Sequence, residues 1–234
     1  MDMMLAVTHQ VKEQIERFVP ADIRPKVEVL YMGADSSVMI DEDEKQKLRA
    51  KYVLSDRFTV GIVGRIEEAK GQYLVIEAVK TLLDAGLSLQ ALIVGHAMDE
   101  KYLTYLQEGI KKDGLQEKII FTGFTKEAQK LMQLCDCLVL ATEKETFGLV
   151  LIEAMASGVA VIASDSGGPL EIIDDGKTGL LFQTGNSKDL AKKIKKLQDA
   201  SLRQQLATTG RDKVNEMFES KKQFEKLYVI LEHL

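Results

Sequence analysis

From residue 58 onward, short apolar runs rich in β-formers alternate with longer amphipathic stretches, and this constrains the fold more than any other feature. Strands are expected at Phe58–Val63, Gln90–Val94, Lys118–Thr122, Cys137–Ala141, Val159–Ser164 and Gly179–Phe182. Apolar residues at helical spacing cover 71–85, 99–113, 126–134, 149–157 and 187–199 between them. Strands this apolar are buried on both faces, so helices must cover both sides of a parallel sheet. The expected fold class is α/β, a doubly wound parallel sheet. Ligands of such sheets sit beyond the carboxyl ends of the strands.

Upstream, Val11 to Phe18 reads as a short helix, and Lys26-Val-Glu-Val-Leu-Tyr31 as a strand that ends before Gly33. Residues 41–51 read as a charged helix. Its opening run, Asp41-Glu42-Asp43-Glu44, is either a carboxylate pair for a divalent cation or a set of acids stabilising the helix start. The second reading is preferred, because no phosphate-cradling loop follows. Residues 201–232 read as one or two surface helices.

Composition narrows the function classes. With 234 residues, 45% apolar and 29% charged, the chain has the profile of a folded globular protein and not of a disordered one. Its longest apolar runs are strand-sized, well short of the roughly 20 residues a bilayer requires. The balance of 31 Lys and Arg against 36 Asp and Glu gives −5, which argues against a general nucleic-acid binder. Cys135 and Cys137 form neither a disulfide framework nor more than half a metal site. They read as small apolar residues in a reduced cytoplasm. Met1-Asp-Met-Met has an acid where a signal peptide has a basic region, so a cytoplasmic location is expected.

The chemistry-bearing residues follow the strands. In the first loop, Gly64-Arg65 precedes Lys70-Gly71 and a helix. Arg65 suits a bidentate grip on phosphate and Lys70 adds a point charge; the alternative is two solvated surface cations. In the second loop, Glu145 and Glu153 frame a helix N-terminus in Glu145-Thr-Phe-Gly148-Leu-Val-Leu-Ile-Glu153. Eight residues span up to about 12 Å along a helix. Glu153 lies in an apolar helix, where a carboxylate is costly without hydrogen-bond donors. A third loop, Gly167-Gly168-Pro169-Leu-Glu171, also precedes a helix. There Glu171 either accepts from the glycine-loop amides or favours the helix start. Phe121-Thr-Gly123-Phe124 ends a strand, either as a base-edge contact or as a turn.

Other motifs are excluded. No G-x-G-x-x-G is present, and the P-loop-like Gly176-Lys-Thr178 has Glu171 where the first glycine belongs. The basic helix at 188–196 carries Leu190, Ile194 and Leu197 at helical spacing. It reads as a core-packed helix with a solvated cationic face in preference to a membrane-surface helix.

Taken in order, Gly64-Arg65, Lys70-Gly71, Phe121-Thr-Gly123, Glu145, Glu153, Gly167-Gly168-x-x-Glu171 and Asp175-Gly-x-x-Gly179 resemble the C-terminal half of retaining family 4 glycosyltransferases of the GT-B fold. The resemblance covers roughly residues 55–200, with Val7–Asp35 similar to the close of the family's N-terminal domain and its linker. Met32 replaces the usual Asn, and Gly95-His96-Ala97 replaces a common G-x-G.

The resemblance implies a Rossmann-like domain at 41–200, a remnant of the N-terminal acceptor domain and linker at 1–40, and C-terminal helices at 201–234. It implies a nucleotide-diphosphate sugar as donor, a carbohydrate or lipid-linked acceptor, and transfer with retention. Arg65, Lys70 and Glu145 are the implied catalytic residues. Gly64, Gly123, Phe124, Thr146, Phe147, Gly148, Leu149 and Glu153 are the implied donor-binding residues. No metal or other cofactor is implied, and the full-length enzyme is expected in the cytoplasm or at the inner membrane face. The alternatives are a non-catalytic nucleotide-sugar-binding module and a GT-B nucleotide-sugar epimerase.

Overall fold

The apolar runs pair side by side in a computed structural model that describes residues 3–35 and 39–233. Met1 and Asp2 of the N-terminal stretch, part of the linker segment 1–40 and the last residue of 201–234 lie outside the described residues. Chain order begins with strand β1 (Met3–Ala6), helix α1 (His9–Phe18), strand β2 (Lys26–Val29) and helix α2 (Glu42–Lys51). It continues with β3 (Phe58–Val63), α3 (Gln72–Asp84), β4 (Leu89–Val94), α4 (Glu100–Lys112), β5 (Ile119–Gly123), α5 (Ala128–Met132) and β6 (Cys137–Leu140). Then come α6 (Leu149–Ala156), β7 (Ala160–Ser164), α7 (Pro169–Ile172), β8 (Leu180–Phe182), α8 (Ser187–Lys196), α9 (Ala200–Lys213) and α10 (Ser220–Glu232).

Strands β3 to β8 form one parallel sheet in the order β5-β4-β3-β6-β7-β8. All six expected strands are present, within one residue of their expected ends. The order reverses between β3 and β6, so the crevice of this Rossmann-like sheet opens at their carboxyl ends. Pleating divides β4 between layers: Leu89, Ala91 and Ile93 join the core under α3, α4 and α8. Leu92 and Val94 join the opposite cluster, with Leu48 and Leu131. A third cluster, around Leu138, Leu140, Leu151 and Ile152, fills the space under α6. Helix α8 is core-packed as expected, with Leu190 and Ile194 buried.

Two features depart from the sequence reading. Helix α9 is not a plain surface helix. It packs on α6 and β7, and Leu206 and Ala207 enter the main core. A π-helical turn at Val214–Phe218 then buries Val214 and Phe218. Strand β1 was not anticipated; it pairs in parallel with β2 as a separate two-stranded sheet. Among the described residues, no helix is long and apolar enough to cross a membrane.

Candidate functional site

The loops after β3 and β6 meet at the reversal of strand order. Lys70 lies 3.2 Å from Glu145, nitrogen to oxygen, with their side chains 26% and 17% exposed. That burial shields the pair from much of the solvent that screens surface ion pairs. Lys70 ends a short 3-10 turn, and Gly71 reverses the chain into α3 at φ +69°. A Cβ on Gly71 would stand 2.5 Å from the Ala141 carbonyl, so glycine lets the start of α3 press against the end of β6.

Arg65 stands on the same loop but is more exposed, and pairs with Glu67 at 3.0 Å. Its backbone is fixed by Gln72, whose Nε2 donates to the Arg65 carbonyl at 2.7 Å. Gln72 is buried at the first turn of α3, and its Oε1 has no partner among the described residues. Sequence reasoning missed it; the available signal was an amide residue directly after Lys70-Gly71. Gly64, at the end of β3, donates its N–H to Val94.

Glu145 and Thr146 lie in an irregular loop, not in a helix. Only the last part of the Glu145–Glu153 segment is helical, because α6 begins at Leu149. The rise per residue of a helix therefore does not set the separation of the two glutamates. Gly167 and Gly168 explain this loop's path. A Cβ on Gly167 would lie 2.0 Å from the Glu145 carbonyl, and one on Gly168 2.3 Å from that of Phe147. The Gly168 N–H donates to Glu145 O at 2.8 Å. The glycine pair thus supports the backbone that presents Glu145.

Gly148 caps α6 with φ +105°. The N–H groups of Phe147, Gly148 and Leu149 meet no acceptor among the described residues. They are oriented donors at a helix N-terminus, suited to an anion. The Phe147 ring itself is buried, packed on Tyr31 and Phe218, so only its backbone is open to a ligand. Glu153 is half-buried on α6, and its carboxylate has no hydrogen-bond or ion-pair partner among the described residues. Burial raises its carboxyl above the ordinary value of 4.5.

Gly123 and Phe124 stand apart from the ion pair, at the end of β5. Phe124 is exposed and meets the His96 ring edge-to-face at 6.0 Å. Asp41 accepts from the Glu44 N–H as the N-cap of α2, the helix-start reading of that acidic run. Among the described residues no group of three or more His, Cys, Asp or Glu is placed to hold a metal ion.

Glu171 lies in the first turn of α7, where an acid favours the helix start, but its carboxylate reaches elsewhere. Its carboxylate accepts from the His9 and Gln10 N–H groups, each at 3.0 Å, and from the Tyr31 hydroxyl at 3.0 Å. It caps α1 from across the molecule. Burial, with Glu171 alongside, pushes the Tyr31 hydroxyl up to about 12.

Comparison with known proteins bears on the fold and the family. The family profile described as glycosyl transferases group 1 matches residues 44–213. N-acetyl-alpha-D-glucosaminyl L-malate synthase of Bacillus anthracis is 30% identical over 97% of this chain and 59% of its own length. The crystal structure of Anabaena Alr3699/HepE in complex with UDP is 25% identical, with a TM-score of 0.90 over 100% of this chain and 64% of that one. The C-terminal domain of a glycosyl transferase group 1 family protein (LpcC) from Francisella tularensis is 34% identical. It aligns with 80% of this chain and 99% of that one at a TM-score of 0.72. The chain spans 54% and 59% of the first two curated relatives it matches. With its Rossmann-like sheet and its loops gathered at the strand reversal, the chain belongs to the glycosyl transferases group 1 family, as a C-terminal domain of the GT-B fold.

Proposed function

We propose that this chain is the donor-binding half of a glycosyltransferase that takes a nucleotide-diphosphate sugar and transfers its sugar with retention at the anomeric carbon. The observation that carries the reading is the half-buried Lys70–Glu145 pair, set where the strand order reverses. A cation there stabilises a diphosphate as negative charge grows on the departing oxygen. Arg65 shares that charge, and the free amides of residues 147–149 add donors at the helix end. The two cations do this without a metal ion. Glu153 accepts from the ribose hydroxyls, Glu145 from hydroxyls of the donor sugar, and Gly123 and Phe124 flank the base. UDP bound to the structurally similar HepE supports a nucleotide in this crevice.

In the reaction, the bond from the anomeric carbon to the diphosphate oxygen breaks, and its electron pair stays with the diphosphate. The acceptor hydroxyl forms the new bond on the same face, and its proton passes to the departing diphosphate oxygen. Both carboxylates are assigned to binding and not to acid–base cleavage, because the leaving group is already an anion that cations stabilise. The acceptor is a carbohydrate or a lipid-linked group.

Calorimetry tests the assignment. Arg65→Ala and Lys70→Ala each weaken nucleoside-diphosphate binding by about 1–3 kcal/mol, the range for hydrogen bonds to charged groups. Nucleoside binding falls much less. Equal losses for both ligands would rule out the diphosphate role.

A further inference from the structure

Helix α1 reaches the site from the small β1–β2 sheet, and two independent contacts fix its start. Buried Thr8 accepts from the Val11 N–H at 3.2 Å and donates to the Thr146 carbonyl at 3.4 Å. Glu171 holds the next two N–H groups, as described above. The first turn of α1 is thereby held against the loop that presents Glu145.

Between them lies a cavity of about 400 Å³, lined by Gln10 and Gln14 of α1, by residues 143–146 and by Ser166 and Gly167. That volume is within the range of small-molecule sites, about 300–1,000 Å³. Gln10 and Gln14 are four residues apart, so their amides share one helix face. Thr146 and Glu145 also line it, and the Glu145 carboxylate is engaged by Lys70 through Oε2. The lining has two acids, Glu143 and Glu145, against one cation, Lys144, and so disfavours an anion. It has no aromatic ring on which a base could stack. Amides, a hydroxyl and a carboxylate match a neutral ring bearing several hydroxyls.

We propose that this cavity is a carbohydrate subsite and that Gln10 and Gln14 are specificity-determining residues within it. The proposal rests on the donor-half reading above, since it sets the subsite on the sugar side of the Lys70–Glu145 pair. It assigns sugar selection partly to α1, outside the Rossmann-like sheet. The sugar is either that of the donor or that of the acceptor, and the experiment separates the two.

Both glutamines are exposed, so Gln10→Met with Gln14→Met removes the amides at little cost to folding. Melting temperature checks this, and the single variants serve if the double variant melts early. Calorimetry on the 234-residue chain uses UDP, GDP and ADP, their glucose or mannose esters, and free glucose or mannose added to nucleotide-saturated protein. Nucleotide affinity is expected to stay unchanged. A loss of about tenfold, the scale of two neutral hydrogen bonds, is expected for the sugar ester if the donor's sugar occupies the cavity. The same loss for the free sugar marks it as the acceptor's. A variant equal to wild type toward all three ligand types overturns the subsite alone, as does wild type that binds nucleotide without any sugar-dependent gain. Wild type that binds no nucleotide overturns the donor-half reading and the subsite with it.

Discussion

Glu153 shows what a single residue in the wrong surroundings implies. A carboxylate half-buried without a partner destabilises the fold whenever it is ionised. Its pKa is raised on folding, so the folded state binds the proton more tightly than the unfolded one. The destabilisation is present above the folded pKa and disappears as pH falls through it. Glu153→Gln therefore raises the melting temperature at neutral pH and has no such effect in acid, as thermal melts across pH can read. The same substitution weakens a ribonucleotide and spares a 2′,3′-dideoxynucleotide, if the ribose hydroxyls are what the carboxylate accepts from. Equal weakening of both nucleotides would sink the ribose assignment. Affinity for the ribonucleotide also declines on acidification at a pH higher than an ordinary glutamate would give. The oddity of Glu153 was visible in the sequence, because the residues around it are apolar. The partner of Lys70 was not, because Glu145 lies 75 positions away and only the strand order brings the two together.

At the level of elements, the six sheet strands could be read because each is a short apolar run closed by a turn residue. Strand β1 could not: its four residues carry no alternation, and among the described residues it pairs with β2 alone. Glu171 lies 162 and 161 residues from the amides it caps, so the sequence offered only local roles, at the glycine loop or at the start of α7. Its actual role makes it the tie between α1 and the large sheet. Glu171→Ala leaves two helix N–H groups and the Tyr31 hydroxyl without their acceptor. The expected cost is about 1–2 kcal/mol, the scale of a lost helix cap. Amide exchange should accelerate at His9 and Gln10 while the sheet strands keep their protection. Uniform acceleration throughout the molecule would show instead that Glu171 supports the whole fold.

For the whole molecule, a site at the edge of one domain binds before it catalyses. Positioning a nucleophile against the donor accounts for much of an enzyme's rate, and under the proposed function a second, acceptor-binding domain contributes to it. The 234-residue chain is expected to bind the donor and to transfer sugar negligibly. Robust transfer to free saccharides by the purified chain would contradict this. The ion pairs at the site also bear on how a ligand arrives. Lys70 and Arg65 are already neutralised by Glu145 and Glu67, within a chain whose net charge is −5. A nucleoside diphosphate, itself an anion, would approach a chain of net negative charge and would have to displace a carboxylate on arrival. Electrostatically guided encounters slow steeply as salt is added. Here stopped-flow association is expected to hold steady or quicken as ionic strength rises, because salt screens a net repulsion and leaves the short-range exchange of partners around Lys70 intact.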